Sequence, residues 1–108
     1  MFLGIDVGTS GVKAVLIDHQ GRVHARGDAA LSVSRPAPLW SEQDPALWWQ
    51  ASEAAVAALP AELRAGVQGV GLSGQMHGAT VLGEDDRPLR PAILWNDGRA
   101  FSECEELE

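Results

Sequence analysis

Apolar positions come in short runs separated by glycine-rich or polar turns. Phe2 to Ile5 starts almost at the N-terminus and reads as a buried strand. Asp6 to Gly11 is a glycine-rich turn, and Val12 to Ile17 is a second apolar run with several β-branched residues. Asp18 to Gly21 has turn chemistry, after which Arg22 to Arg26 alternates polar and apolar. The pattern predicts a β-hairpin from the first two runs, with Ala29 to Val33 extending its second arm.

Arg35 to Trp40 holds two prolines, each of which turns the residue before it away from the α region. It is a connector. Asp44 then stands as an N-cap with Pro45 at the first helical position. Leu47, Trp48, Ala51, Ala54, Ala55, Ala58 and Leu59 follow at helical spacing until Pro60. Val67 to Ser73, Ala79 to Leu82 and Ala92 to Trp95 read as strands, the last two separated by the polar turn Glu84 to Pro88. From Gly98 the composition turns helical. The predicted order is β-β-β-α-β-β-β-α, an α/β domain with a mixed sheet whose first strands are antiparallel and whose later strands join by crossover. Glu103, Glu105, Glu106 and Glu108 oppose the macrodipole of the final helix, which has no capping residue. The expectation is a chain cut inside a helix, so that residues 1–108 form an incomplete domain.

Composition narrows the classes. A chain of 108 residues allows one small domain, and 45% hydrophobic residues are too many for a disordered acidic tail. Cys104 stands alone, which excludes an internal disulfide framework and a multi-cysteine zinc site. No cation lies near it in sequence to activate the thiol. No apolar run approaches the roughly 20 residues of a membrane span. The first ten residues carry Asp6 and no basic residue, unlike a signal peptide. A formal charge of −7 argues against a nucleic-acid footprint.

Three stretches could hold chemistry. Asp6 to Lys13 reads Asp-Val-Gly-Thr-Ser-Gly-Val-Lys. Gly8 and Gly11 free the backbone to approach a ligand, and successive N–H groups, the Thr9 and Ser10 hydroxyls and Lys13 suit phosphate oxygens. Asp6 fits such a site if Mg²⁺ lies between carboxylate and phosphate. The spacing matches neither a Walker A loop nor G-x-G-x-x-G. An ordinary hairpin turn with a solvated Asp reads equally well. The second stretch is Gly-Gln-Met-His-Gly at 74–78, directly after a strand, where open α/β sheets gather ligands. A turn with an incidental His77 is its plainer reading. In the third, Trp95 to Arg99, Asn96 or Asp97 could simply cap the final helix. Trp40, Trp48 and Trp49 read as structural, and His19 and His24 as solvated hairpin residues.

Together these stretches resemble the FGGY carbohydrate kinases, from Met1 to Glu108. Asp6 to Lys13 resembles the family's first phosphate loop. Pro38 to Pro45, Gly74 to Thr80 and Arg90 to Arg99 resemble the members that phosphorylate D-xylulose to D-xylulose 5-phosphate with Mg-ATP in the cytoplasm. The resemblance implies a ribonuclease H-like fold of the actin, Hsp70 and hexokinase superfamily, with residues 1–108 the first part of the N-terminal domain. It places Asp6 in support of the metal and the transferring phosphoryl group. It places Gly8, Thr9, Ser10 and Lys13 at phosphate oxygens, and Met76 and His77 on the sugar. The general base and the ATP-binding C-terminal domain fall outside this stretch, which implies that the chain alone is inactive. The complete enzyme admits a homodimer and involves neither nucleic acid nor membrane. A sister kinase for another ketose, alditol or aldonate, and a non-catalytic nucleotide-binding module of the same fold, are the alternatives.

Overall fold

The computed structural model describes all residues from Met1 to Glu108. In chain order the elements are β1 (Phe2–Val7), β2 (Gly11–Ile17), β3 (Val23–Ala30), β4 (Glu42–Gln43), α1 (Pro45–Ala57), α2 (Ala61–Arg64), β5 (Gly69–Gly74), β6 (Ala92–Ile93) and α3 (Phe101–Leu107). They fall into two compact units. The first is Met1–Ser32 with Ala46–Gln75, and the second is Val33–Pro45 with Met76–Glu108.

The first unit is a four-stranded sheet of order β3-β2-β1-β5. β1 pairs antiparallel with β2, and β2 antiparallel with β3, while β5 joins β1 in parallel. This is the expected mixed sheet with antiparallel first strands. Alternation along β1 and β2 puts Leu3, Ile5 and Val7 on the same face as Leu16, Ala14 and Val12, their register partners. Ala51, Ala55 and Leu59 recur at helical spacing and complete the buried cluster with Leu3, Val12, Ala14 and Leu16. Helix and sheet approach closely at one glycine. A Cβ on Gly27 would lie 2.2 Å from the Ala55 carbonyl oxygen, so only glycine fits there. β5 is an edge strand, and its Val70 and Leu72 are exposed.

The second unit contains the two-stranded β4-β6 sheet, with Glu42 opposite Ile93 and Gln43 opposite Ala92. Single antiparallel bridges join Ser34 to Glu42, Ala79 to Ile93 and Leu82 to Pro88.

Several boundaries differ from the sequence reading. Ala29 and Ala30 end β3 rather than extend the second arm of the hairpin, because they lie across from it and pair with Val12 and Gly11. Ala79 to Leu82 is not a strand. The Gly83 N–H closes onto the Arg87 carbonyl at 2.8 Å, and this turn leaves isolated bridges instead of a ladder. β4 is composed of two buried polar residues, Glu42 and Gln43, so no apolar run announces it. α1 stops at Ala57, three residues short of Pro60, and the chain tightens there through the Leu59 N–H to Val56 carbonyl bond. No helix is long and apolar enough to cross a membrane.

Candidate functional site

The turn between β1 and β2 is closed by the Gly8 N–H on the Gly11 carbonyl at 3.0 Å. A Cβ on Gly11 would lie 2.8 Å from the Ala29 carbonyl oxygen. Its missing side chain makes room for β3. Thr9 sits at the turn and donates its hydroxyl to the Gln75 side-chain carbonyl at 3.0 Å. Ser10 is exposed, and its backbone carbonyl accepts the Leu31 N–H at 3.0 Å.

The sheet register sets a polar row on the face away from the buried cluster. Asp6 of β1 lies opposite Lys13 on β2 and opposite Ser73 on β5. The Ser73 hydroxyl donates to Asp6 Oδ1 at 2.8 Å. These three residues, with Gly4, Val15 and Gly71, line an open depression of about 460 Å³. Glycines at 4 and 71 keep its floor at backbone height. A carboxylate, an ammonium and hydroxyls at the end of β1 form a donor set for a phosphate–cation complex. Ser73 was missed as a site residue. Its signal was the strand period, which repeats the Asp6 face at the end of β5.

Gln75 follows directly, its N–H bonded to the Val7 carbonyl at 3.0 Å. Thus Asp6, Gly8, Thr9, Ser10 and Lys13 lie together in the first unit, joined there by Ser73 and Gln75. Met76 and His77 begin the next stretch of the second unit. Both are exposed, and His77 takes the left-handed backbone conformation at φ 64°. That conformation is uncommon outside glycine, and such residues cluster at functional sites. The Ala79 N–H reaches the Ile93 carbonyl at 2.8 Å, and the Ile93 N–H returns to the Ala79 carbonyl at 3.0 Å.

The third stretch does something sequence reading did not foresee. Asp97 does not cap α3, whose N-cap position is Ala100 and lacks a side-chain cap. Instead Asp97 Oδ2 accepts the Ser41 N–H at 2.6 Å and the Arg99 guanidinium at 2.6 Å. The Arg99 guanidinium also bonds Glu42 Oε2 at 2.8 Å and stacks on Trp40, 3.8 Å from the ring centre. Arg90 reaches the same Glu42 oxygen at 3.0 Å. The side chains of Asp97 and Arg99 are 1% and 13% exposed. Hydrogen bonding from Arg99 holds the Asp97 carboxyl well below the usual carboxylate range, helped by the Ser41 N–H and opposed by burial. Arg99 is raised in turn, first by its bond to Asp97. Cys104 is free and exposed, and His24 is paired with Asp18 at 2.9 Å on the hairpin.

The mixed sheet has the actin and hexokinase-like fold of the FGGY sugar kinases that it superposes on. Residues 1–108 match the model of the FGGY family of carbohydrate kinases, N-terminal domain, and the chain belongs to that family. It is 58% identical to a xylulose kinase of Klebsiella pneumoniae over 110 residues, covering 100% of this chain and 23% of that protein. It is 56% identical over 109 residues to a xylulose kinase of Escherichia coli, covering 100% of this chain and 22% of that protein. The crystal structure of a xyloylose kinase from Brucella ovis superposes with a TM-score of 0.95 at 53% identity, over 98% of this chain and 22% of that one. The chain thus spans about 22% of the length of its curated relatives.

Proposed function

We propose that residues 1–108 are the phosphate-loop portion of an ATP-dependent cytoplasmic kinase that converts D-xylulose to D-xylulose 5-phosphate. The observation that carries this reading is the Thr9–Gln75 hydrogen bond, which holds the phosphate loop to the residue that follows β5. Support also comes from the whole-chain identity to the two xylulose kinases.

In this reading Thr9 and Ser10 offer hydroxyls, and Lys13 an ammonium, to phosphate oxygens around the Gly8 turn. Asp6, steadied by Ser73, faces the cation that accompanies ATP. The donor set fits Mg²⁺. No group of three His, Cys, Asp or Glu side chains exists here to cage a metal alone. Mg²⁺ is content with one or two carboxylates, several waters and phosphate oxygens. When bound it neutralises charge on the transferring group, and the chain's share of catalysis is positioning. His77 can donate from one imidazole nitrogen and accept on the other, which suits adjacent sugar hydroxyls, while Met76 packs beside them. The base that takes the hydroxyl proton and the adenosine-binding domain belong to other parts of the family's chain, so these residues alone turn over no sugar.

The test is a chimaera in which this chain replaces the matching 22% of the Escherichia coli xylulose kinase. D-Xylulose-dependent ADP release is expected, with little on D-ribulose, glycerol or gluconate. Asp6→Asn is expected to lower kcat at least about 100-fold, as loss of a preorganised electrostatic group does. A folded chimaera that ignores D-xylulose, or an Asp6→Asn variant of full activity, would sink the reading.

A further inference from the structure

The ion network of the second unit, buried at Asp97 and open at Arg90, lies on the far side of β6 from the His77 stretch. Ile93 stands in the middle, paired with Glu42 on one side and bridged to Ala79 on the other. Glu42 Oε2 accepts from Arg90, two residues before β6, and from Arg99, six residues after it. One carboxylate oxygen therefore pins both flanks of the segment that holds Ala79. Asp97 fixes Arg99 from the other side and takes the Ser41 N–H, so β4 cannot slide against the 94–99 turn. The Leu94 N–H on the Ser41 carbonyl at 2.9 Å and the Gly98 N–H on the Leu39 carbonyl at 2.7 Å close the same seam.

Two side chains with a Cβ are held in the left-handed region along this seam and its extension, Leu39 at φ 67° and His77 at φ 64°. A bulky residue there persists only where its surroundings over-determine it. For Leu39 the surroundings are the Gly98 bond and the Trp40–Arg99 stack. For His77 they are the paired Ala79–Ile93 bonds two residues on. Gly78 fits beneath, where a Cβ would lie 3.1 Å from the Ile93 carbonyl oxygen.

We infer that Glu42 is a positioning residue for His77. Through Arg90, Arg99 and β6 it sets the place of the Ala79–Ile93 bridge, and the bridge sets the backbone at His77. The link to sugar binding rests on the function proposed above; the link to loop geometry does not.

Two readouts separate the claims. The first is the amide NMR spectrum of the 108-residue chain carrying Glu42→Gln or the milder Arg90→Gln. The Gly78, Ala79 and Ile93 amides are expected to shift, with β1 and β2 amides unmoved. The second is the chimaera's KM for D-xylulose against its KM for ATP. Glu42→Gln is expected to raise the sugar KM about ten-fold, short of the roughly 100-fold that a 1 Å misplacement can cost. Arg90→Gln is expected to raise it about three-fold, with the ATP KM unchanged in both. His77→Ala sets the ceiling for the sugar effect. If Ala79 and Ile93 stay fixed in Arg90→Gln, or both KM values rise together, the positioning role is overturned. If the amides shift but His77→Ala leaves the sugar KM unchanged, the positioning role stands and the sugar assignment falls.

Discussion

In the first unit a 13-residue helix lies against strands, and every fully buried position there is leucine, valine, alanine or the glycine that lets the two layers touch. In the second unit the ladder is two residues long, and the buried side chains include Ser41, Glu42 and Gln43. The two solve the same problem with different currencies. A helix on a sheet removes enough apolar area from water to fix itself. A two-residue ladder cannot, and its residues are placed by charge-assisted bonds of short range and strict direction. Buried ion pairs add little net stability once desolvation is counted, but they reject wrong geometries strongly. The difference teaches that the first unit is built to be stable and the second to be exact about where a few loops lie.

The largest expected effect attacks the packed unit. Gly27→Ala forces a Cβ into the Ala55 carbonyl and is expected to destabilise by about 3 kcal/mol in a urea melt. Gly71→Ala, with nothing within 4 Å of the added Cβ, serves as its control. Equal costs at both sites would mean that helix–sheet contact does not hold this unit.

An intermediate effect separates the units. Asp97→Asn is expected to speed hydrogen exchange at Ser41, Leu94 and Gly98 while β1 and β2 amides keep their protection. Acid makes the same cut without mutation. The Asp97 carboxyl is lowered from 3.8 in the folded chain, so its contribution is complete above about pH 4 and fades as pH falls further. Between pH 5 and pH 2, protection is expected to fail first around Ser41 and Leu94. Simultaneous loss along β1 would merge the two units into one cooperative block.

The smallest effect is at a residue that pattern alone makes prominent. Trp49 is 69% exposed, and Trp49→Ser is expected to change the stability of this chain by less than about 0.5 kcal/mol. A larger loss in thermal unfolding would show that α1 has a second packed face.

These differences also account for what could be read in the sequence. Hydrophobic period reports burial, so β1, β2, α1 and the mixed sheet were legible from Leu3, Val12, Leu16 and the Ala51–Ala55–Leu59 spacing. The loop from Asp6 to Lys13 was legible because glycines and hydroxyls cluster where a strand ends. β4 was not, because Glu42 and Gln43 look like surface residues until Arg90 and Arg99 are brought to them by the fold. Asp97 looked like a helix cap because local chemistry is all that spacing shows, whereas its partner at Ser41 is 56 residues away. Ser73 was hidden in the same way, its link to Asp6 spanning 67 residues.

The distance between Glu42 and Arg99 matters on the ribosome as well. Glu42 emerges 57 residues before the cation that stacks on Trp40 and completes its ion pairs. At about 5–20 residues per second that is a wait of roughly 3–11 s. The β1–β2 hairpin, whose strands are neighbours in sequence, forms in about 1–10 μs. During synthesis the seam between Leu39 and Arg99 is therefore among the last local structures to close. The stretch from Arg35 to Gln43 spends that interval as an open strap, within reach of proteases and chaperones, until Asp97 and Arg99 arrive to latch it.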